Sequence, residues 1–493
     1  MATTFLHGAE VIEMNDGVRS ISSVKTAVIG FAFESDQAAG ATAATLTIGS
    51  AALSDGITLT AVEGGQDGNG INITITTQTV PDSAIAIIGE GKNITVELGT
   101  DETGAPNSTA AEVVESINEA ASTSALVVAS LTNGNDGSEV PQVVSTQYLS
   151  GGANEPFPEL KPVMITGSLK GAEGMGKSTD AYKSMDSIMQ QTGALVIAVR
   201  ARPLVAPQVE GANISEAIDQ FAYARSEVGY KPKILIAPNF SHIDGVAKSL
   251  ETMAARLRGF AYVDCELNAT YTDAMKRARS FGERVEVQWP HVKVADSETG
   301  VEVPRSTSEF AAGLRCRIDN EKGVHWSKSN QEIYGVIGTW QQVEWELSDP
   351  NTVANILNEN KVSTVIREGG YRFWGNRSCS IDPKWTFECV RRTADMINDS
   401  IEQAHLWAVD MPGTTQYLQD VLGGVRAYMK QLKYEGVIPG GDAWLDKELN
   451  TPETMAQGVY YFDFDFGVYY PAEHLIFRSR LNNGYLEEVI ANV

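Results

Sequence analysis

One stretch of the sequence has residue types and a spacing suited to phosphate chemistry. Gly171, Gly176, Lys177 and Ser178 match the pattern G-x-x-x-x-G-K-[ST]. In a P-loop, successive backbone N–H groups at the start of a helix surround a phosphate, and the lysine reaches its outer oxygens. The stretch follows a predicted strand and precedes a predicted helix. A P-loop nucleotide hydrolase that uses residues 171–178 is therefore one hypothesis for this chain.

The surroundings of this stretch favour a structural loop instead. The preceding strand ends near Thr166, so residues 167–170 separate it from Gly171, the first glycine of the pattern. A P-loop normally begins directly after its strand. Asp264 ends another predicted strand and could hold magnesium, but no arginine finger or water-positioning residue accompanies it. We interpret residues 171–178 as a glycine-rich strand-to-helix connection, and we keep the nucleotide hydrolase as the alternative.

Other catalytic and metal-binding patterns are missing from the sequence. The four cysteines have no C-x-x-C spacing and the six histidines no H-x-x-x-H spacing, which disfavours a zinc site. The cysteines are Cys265, Cys316, Cys379 and Cys389, and we interpret them as buried thiols of a protein in a reducing cytoplasm. We predict no catalytic residue, cofactor or metal ion, and a protein that is not an enzyme.

Length and charge limit the remaining classes. With 493 residues the chain is too long for a single core, and its net charge is −25, so several domains are expected. A basic face, which phosphate binding needs, is not indicated, and we predict no nucleic-acid partner. No apolar run has the length of a membrane span, and the N-terminus lacks the pattern of a signal peptide. We expect a soluble protein with no membrane partner.

The first third of the chain changes composition sharply. Residues 1–37 contain strand-like runs. The first of these, residues 9–14, alternates, lies at a free terminus and contains Ala9, Val11 and Ile12. Residues 38–154 are poor in aromatics and rich in Thr, Ala, Gly, Asn and Ser, with short alternating strands and one helix, for which Ser108 is the predicted N-terminal cap. We predict an N-terminal arm followed by an inserted, β-rich accessory domain.

Residues 155–378 alternate between strands and helices. Continuous apolar strands separated by amphipathic helices predict a mostly parallel sheet that is covered on both faces. Residues 379–493 follow as a C-terminal α+β domain that ends in a lone strand containing Leu486, Val489 and Ile490. The predicted fold class is α/β, with several domains and extended terminal arms.

Two features of the second half are distinctive. A glycine loop after Glu368 predicts a hairpin between the α/β domain and the C-terminal domain, and we interpret it as an interdomain block that contains Arg372, Phe373, Trp374 and Arg377. Arg426, Lys430 and Lys433 follow one face of a predicted helix over residues 415–434. This spacing forms a basic ridge in an acidic protein.

The order of these segments resembles the contractile tail sheath proteins of P2-like myophages, which R-type tailocins also use. The resemblance covers nearly the whole chain except residues 38–154, a segment that looks like a small accessory domain of various phage tail proteins. The stretches that carry it are residues 7–13, Arg19 with residues 23–30, and residues 312–319, 325–327, 345–350, 370–377 and 404–410.

The resemblance implies a structural role. Subunits of this family stack as hexameric discs in a helical sleeve around an inner tail tube, and the sleeve contracts irreversibly to drive the tube through the host envelope. The partners implied are further copies of the chain, the inner tube protein, and baseplate and tail terminator proteins. The implied location is the virion tail, assembled in the host bacterial cytoplasm.

The family also implies roles for particular residues. Its terminal arms add strands to the sheets of neighbouring subunits, which suits the two lone terminal strands. The residues expected to link subunits are Ala9, Val11, Ile12, Leu486, Val489 and Ile490. In this setting the basic ridge of Arg426, Lys430 and Lys433 is our candidate for contact with an acidic inner tube.

Overall fold

The computed structural model describes residues 20–296 and 298–486. The chain divides into two compact units. One unit comprises residues 34–163 and 170–183, and the other comprises the remaining described residues. Within the described residues, no helix is both long and apolar enough to cross a bilayer.

The strands of the described residues are, in chain order, β1 (Val28–Phe33), β2 (Ala43–Ile48), β3 (Ile57–Gly64), β4 (Asn72–Thr77), β5 (Ala86–Glu90), β6 (Asn93–Leu98), β7 (Val127–Leu131), β8 (Val144–Tyr148), β9 (Val163–Thr166), β10 (Leu195–Arg200), β11 (Ile234–Ile236), β12 (Phe260–Asp264), β13 (Val285–Gln288), β14 (Val292–Ala295), β15 (Glu302–Arg305), β16 (Gln331–Glu332), β17 (Gly338–Thr339), β18 (Val362–Arg367), β19 (Tyr371–Trp374), β20 (Gly441–Leu445) and β21 (Phe462–Phe466).

The α-helices of the same residues are α1 (Ala110–Glu119), α2 (Asp180–Gln191), α3 (Ala212–Asp219), α4 (Ala224–Val228), α5 (Asp244–Leu257), α6 (Tyr271–Ala278), α7 (Thr307–Glu321), α8 (Val353–Glu359), α9 (Glu388–Ala404), α10 (Thr415–Tyr434) and α11 (Pro452–Ala456). The fold is therefore a mixed α/β fold with several sheets.

A nine-stranded sheet forms the centre of the larger unit, in the order β16-β19-β18-β13-β12-β11-β1-β10-β9. The pairs from β10 to β18 are parallel, and β19 and β16 add antiparallel strands at one edge. All six residues of β1 are buried, as expected for a parallel strand with both faces covered. The prediction of a mostly parallel sheet is confirmed by this pairing.

The position of β1 in this sheet is not evident from its place in the sequence. It precedes the β-rich segment, yet it pairs with β10 on one side and with β11 on the other. The chain therefore leaves the sheet after β1 and returns to it at β9. The domain boundaries drawn from composition, at residues 37, 154 and 378, stay predictions.

The smaller unit contains its own apolar core. Two sheets, β2-β3-β7 and β5-β6-β4-β8, contribute their inward residues, and α1 adds Val113 and Ile117. The helix is capped by Thr109, not by Ser108 as predicted. Thr109 forms a capping box with Glu112, whereas the Ser108 hydroxyl is buried and accepts a hydrogen bond from the Gly99 N–H at 2.9 Å. A hydroxyl that accepts this hydrogen bond from the end of β6 is not available to cap the helix.

Helices α9 and α10 contribute apolar side chains to one shared cluster. Ile397 of α9 and Met429 of α10 are fully buried in one cluster. The short antiparallel pair β20-β21 covers this cluster, with Ala443 pointing into it. The C-terminal part of the larger unit is therefore an α+β layer with a sheet of only two described strands.

Helix α7 is buried along most of its length, including polar residues of its first turn. It packs so closely on α2 that a Cβ on Gly313 would lie 2.8 Å from the Ile188 carbonyl oxygen. Glu309 is fully buried in the same contact. Burial raises its pKa from 4.5 to about 7, against the opposing attraction of Arg305.

The raised pKa of Glu309 predicts a stability that depends on pH. Because the folded-state pKa lies above the unfolded value of 4.5, the contribution is fully present below pH 4.5 and is lost as the pH rises to about 7. Glu309→Gln should remove this loss, which is on the order of 3 kcal/mol. Urea unfolding at pH 5 and pH 8 measures how the free energy of unfolding changes with pH, here called the pH slope.

The matched control is Glu302→Gln. The Glu302 side chain is 65% exposed, so its replacement should leave the pH slope of the wild type in place. An equal slope in the wild type and in Glu309→Gln would contradict the assignment.

Candidate assembly site

The glycine-rich stretch does not form a phosphate-binding loop. Leu169–Met175 is a 3-10 helix with Ala172 and Met175 buried, and α2 begins only at Asp180. The N–H groups that a phosphate would need are used in turns, as in the hydrogen bond from Gly176 to the Glu173 carbonyl. The Lys177 ammonium lies 3.3 Å from the Glu173 carboxylate. The nucleotide-hydrolase alternative is therefore unsupported.

Asp264 caps a helix and is not available to a magnesium ion. Its carboxylate is 3% exposed and accepts hydrogen bonds from the Ser241 hydroxyl at 2.9 Å and from the Ser308 N–H at 2.9 Å and hydroxyl at 2.5 Å. A carboxylate at the N-terminus of α7 satisfies an unpaired N–H there and opposes the helix dipole.

The four cysteines are buried thiols, as predicted. Burial raises the pKa of Cys379 to about 12 and that of Cys389 to about 11. Such thiols are poor nucleophiles. No group of three or more His, Cys, Asp or Glu residues suited to a metal ion occurs in the described part of the chain.

The predicted hairpin is present as β18 and β19. Phe373 is fully buried, and Trp374 packs edge-on against Trp345 with ring centroids 5.6 Å apart. The Arg372 guanidinium donates to the carbonyls of Glu368 and Asn330, both at 2.9 Å. The hairpin is thus an ordered edge of the large sheet whose arginine fixes its own loop. Its role as an interdomain hinge stays a prediction.

The fourth residue of that prediction, Arg377, contacts a different part of the chain. Its guanidinium forms two hydrogen bonds with Glu473, from Nε at 2.8 Å and from Nη2 at 2.6 Å. Its backbone bridges to Phe387, just before α9. Arg377 therefore ties the exit of the hairpin to the C-terminal tail.

A buried charge cluster, which the sequence analysis missed, lies between the large sheet and α9. At its centre, the Lys328 ammonium is fully buried and 2.6 Å from the carboxylates of both Glu286 (β13) and Glu388 (α9). The Tyr262 hydroxyl donates a hydrogen bond to Glu388. The ring of Phe373 lies 4.9 Å from the Lys328 ammonium, which connects the hairpin to the cluster.

The second half of the cluster links α7 to α9. Arg392 donates two hydrogen bonds to Asp319, at 2.9 and 2.7 Å, and a third to the Thr26 carbonyl at 3.1 Å. Arg315 donates to the same Asp319 at 2.8 Å and to the Trp326 carbonyl at 2.7 Å. The side chains of all three charged residues are at most 4% exposed.

The cluster has equal numbers of opposite formal charges. Its cations are Lys328, Arg315 and Arg392, and its carboxylates are Glu286, Glu388 and Asp319.

The pKa values of the cluster follow from burial and these neighbours. Burial by itself would raise the pKa of Glu388, but Lys328, Arg315 and Arg392 lower it to about 2. Burial raises the pKa of Glu286 against the attraction of the same lysine. The one clue in the sequence is the pair of arginines, Arg315 and Arg317, that follows the apolar residues 310–314 in α7, because charged side chains on a buried helix need partners.

Ion pairs continue along the same face of α9. Asp395 accepts two hydrogen bonds from Arg284, at 2.6 and 2.9 Å. Asp399 pairs with Lys233 and, at 2.8 Å, with Arg258. Because Arg284, Lys233 and Arg258 adjoin the strands of the large sheet, α9 is fixed to that sheet by charge along its whole length.

The residues of the predicted basic ridge differ in their surroundings. Arg426 pairs with Asp442 at 3.0 Å and donates to the Ala443 carbonyl at 2.7 Å, so it fixes α10 to β20. Lys430 and Lys433 are exposed on the same helix. Lys430 and Lys433 are therefore exposed to solvent, whereas Arg426 fixes α10 to β20.

Of the predicted subunit-linking residues, only Leu486 lies within the described part of the chain. It is 63% exposed and follows a 3-10 helix, Asn483–Tyr485. Leu486 has helical backbone angles, φ −72° and ψ −21°, so it does not lie in the lone strand that was predicted to contain it. The Asn482 side chain accepts a hydrogen bond from the Gly484 N–H and closes a turn just before this residue. Ala9, Val11, Ile12, Val489 and Ile490 lie outside the described residues.

An apolar groove lies beside the two-stranded sheet. It has a volume of about 310 Å³ and is lined by the end of α9, by α10 and by β21. Its walls include Ile401, Val421 and Phe464, with Glu402 and Asp463 at the polar side. An apolar groove next to a short sheet is suited to a peptide strand that carries apolar side chains.

Comparison with known proteins identifies the family. The phage tail sheath central-domain model matches residues 208–379, and the phage tail sheath C-terminal-domain model matches residues 380–482. The chain is 32% identical to the tail sheath protein of Escherichia phage P2 over 381 residues, which cover 73% of this chain and 96% of the relative.

The chain belongs to the phage tail sheath family.

Two further relatives agree with this assignment. The major tail sheath protein of Serratia phage KSP20 is 32% identical over 352 residues, 68% of this chain and 88% of the relative. The tail sheath protein of Burkholderia phage BcepMu is 28% identical over 502 residues, 99% of this chain and 98% of the relative. The resemblance inferred from the sequence is confirmed.

Solved sheath structures share the fold of this sheath subunit. The contracted PVC sheath complex of an extracellular contractile injection system covers 98% of this chain at 13% identity, with all of that chain matched and a TM-score of 0.55. The contracted helical sheath of the anti-feeding prophage covers 66% of this chain and 90% of its own at 19% identity, with a TM-score of 0.52.

The charge cluster makes the sheath subunit sensitive to the loss of one buried cation. Lys328→Met would leave Glu286 and Glu388 buried without their shared partner, which should cost about 3–5 kcal/mol of unfolding free energy. Chemical denaturation of the purified subunit measures it. Lys384→Met, at an exposed lysine, is the matched control and should change stability by less than about 0.5 kcal/mol.

A second variant keeps this test informative if Lys328→Met does not fold. Adding Glu286→Gln and Glu388→Gln to it removes the unpaired charges, so the triple variant should be more stable than the single one. A triple variant that is less stable than Lys328→Met would contradict the cluster as the cause.

Proposed function

We propose that this sheath subunit polymerises as stacked hexameric discs around an inner tail tube and contracts once to drive the tube through the host envelope. The family and the likeness to solved helical sheaths support this proposal. Contraction from a metastable extended state needs subunits that stay connected while their rigid bodies move.

The observation that supports the proposal most directly is the small sheet formed by β20 and β21. It has two described strands beside an apolar groove, and the tail that follows β21 exposes Ile476 and Phe477 by 75% and 89%. Open strand edges and exposed apolar tails are unfavourable in an isolated molecule. Strand addition by the terminal arms of neighbouring copies would cover both the open strand edges and the exposed apolar side chains. Heterologous contacts of this kind extend into a helical polymer.

The proposed partners follow from the same assembly. Further copies of the chain form the sleeve, and the inner tube protein fills it. Baseplate and tail terminator proteins close its two ends, and one neighbour of the same fold belongs to the baseplate of the anti-feeding prophage. The subunit would be assembled in the host bacterial cytoplasm and would act in the virion tail.

The proposed role needs no catalysis. The cysteines are buried and the glycine-rich stretch is packed into a 3-10 helix. We propose a structural protein without cofactor, nucleic-acid partner or membrane partner, whose work of contraction comes from its own change of packing.

Residues 34–163 are proposed to decorate the outside of the sleeve. This segment has seventeen acidic residues and only two basic ones, both lysines. A surface of this charge would be repelled by an acidic inner tube and favours solubility at high concentration. Position on the outer surface is therefore the arrangement with the lowest electrostatic cost.

Lys430 and Lys433 are proposed to contact the inner tube. Individual exposed ion pairs contribute only about 0–1 kcal/mol, which suits a contact that must be released on contraction. The double variant Lys430→Glu with Lys433→Glu should fail to form sleeves around purified tubes, while self-assembly without tubes is retained. Negative-stain electron microscopy with and without tubes measures both.

Arg426 is left unchanged in this test because its reversal would also break the contact with Asp442. Lys447→Glu, at an exposed lysine outside α10, is the control and should assemble like the wild type. Normal sheathing of tubes by the double variant would refute the tube contact.

The terminal arms are proposed to link the subunits. Deletion of residues 1–16 or of residues 484–493 should abolish polymerisation without lowering the thermal unfolding temperature of the subunit, because strand addition would place these arms on neighbouring subunits instead of in their own cores. Sedimentation and electron microscopy measure polymerisation, and calorimetry measures unfolding.

A replacement of residues 484–493 by a Gly-Ser segment of equal length separates the contribution of the side chains from that of length. It should behave like the deletion. A truncated chain that still forms striated sleeves would exclude the arm as the link.

A further inference from the structure

The C-terminal tail leaves the body of the larger unit through a series of fixed contacts. After β21, the Gly467 N–H donates to the Gly440 carbonyl at 2.9 Å. The Tyr470 ring then packs edge-on against Phe387, with centroids 6.2 Å apart. Glu473 follows with its two hydrogen bonds to Arg377.

Beyond Glu473 the surroundings of the tail change. Leu475, Ile476 and Phe477 are 64%, 75% and 89% exposed, and Leu481 is 95% exposed. Among the described residues, none forms a hydrogen bond or ion pair with residues 474–481. Among the described residues, the Arg377–Glu473 pair is thus the last polar contact before this exposed segment, in which apolar side chains flank two arginines.

The geometry of this pair is suited to fixing direction. Two parallel N–H···O bonds from one guanidinium to one carboxylate define an orientation, which a single contact does not. The two side chains are 31% and 32% exposed, so they are only partly screened by water. Hydrogen bonding to Glu473 raises the pKa of Arg377.

The other end of the pair is itself rigid. The Arg377 backbone bridges to Phe387, and the same Phe387 packs on Tyr470 of the tail. The tail is therefore held at two points, three residues apart, by one short stretch between β19 and α9. Because this stretch is fixed to the body of the larger unit, it also fixes the point at which the exposed segment after Glu473 begins.

We propose that Arg377 and Glu473 act as a clamp that aims the exposed segment, residues 475–481, at a neighbouring copy of the chain. Both are positioning residues, since neither needs to touch the neighbour. The inference rests on the proposed assembly. A tail fixed at its root samples fewer directions, which raises its effective concentration at a neighbouring site and lowers the entropy lost on capture.

Charge reversal tests the clamp in the full chain. Arg377→Glu and Glu473→Arg should each lower the yield of sedimentable sleeves by about ten-fold. The double variant, which restores the pair in reverse, should recover most of the yield. Arg202→Glu with Glu216→Arg, which reverses an exposed pair of the same residue types, is the matched control and should assemble normally.

A second measurement reports on the tail without polymerisation. Because the four native cysteines are buried, spin labels can be placed selectively on Ser479→Cys and Tyr434→Cys, both exposed. At low protein concentration the distance distribution between the labels should broaden in each single reversal variant and narrow again in the double variant.

The outcomes separate the clamp from the proposed assembly. Wild-type protein that forms no sleeves would contradict the proposed function, while the label distances would still test the clamp. Single variants with wild-type distances and yields would overturn the clamp. A double variant that recovers neither would show that the two residues act separately, which also overturns it.

Discussion

The structure depends on the mutual neutralisation of buried charges between the large sheet and α9. An isolated ion in a protein interior costs several kcal/mol, and a pair offsets that cost only with good geometry and satisfied hydrogen bonds. Around Lys328 and Asp319 these conditions are met by short contacts to carboxylates and guanidinium groups that are almost fully buried. Each element of the cluster can be buried only when the others are in place, so the sheet, α7 and α9 form together.

Helix α9 illustrates the consequence for the rest of the larger unit. One face carries Glu388 and Asp395 to ion pairs beside the sheet and Arg392 to Asp319 of α7, and another carries Ile397 to the apolar cluster with α10. Charge therefore fixes the helix on one side and apolar burial on the other. A helix fixed on two faces makes the sheet and the C-terminal layer a single stiff body, whereas the tail beyond Glu473 is free of such contacts among the described residues.

This contrast between a stiff body and an exposed tail is the property that a contractile polymer requires. In the proposed sleeve, bodies change their packing while tails keep neighbouring copies connected. Ionic contacts inside the body are shielded from solvent and would be retained during the proposed movement. Exposed cations such as Lys430 and Lys433 are screened by salt and are released easily. Buried charges thus stabilise the fold of the subunit, whereas exposed charges are available to partners.

The sequence by itself determined the elements with a local signature. Apolar runs predicted the parallel strands, the glycines after Glu368 predicted the hairpin, and the order of segments indicated the sheath family. Tertiary structure alone decided the position of β1 in the sheet and the burial of the charged face of α9. It also decided that the glycine-rich stretch begins in a 3-10 helix and forms no phosphate-binding loop. The physical reason is the distance along the chain. Periodicity reports neighbours within a few residues, whereas the partners of Arg392 include Thr26 and Asp319, which only the folded chain brings together.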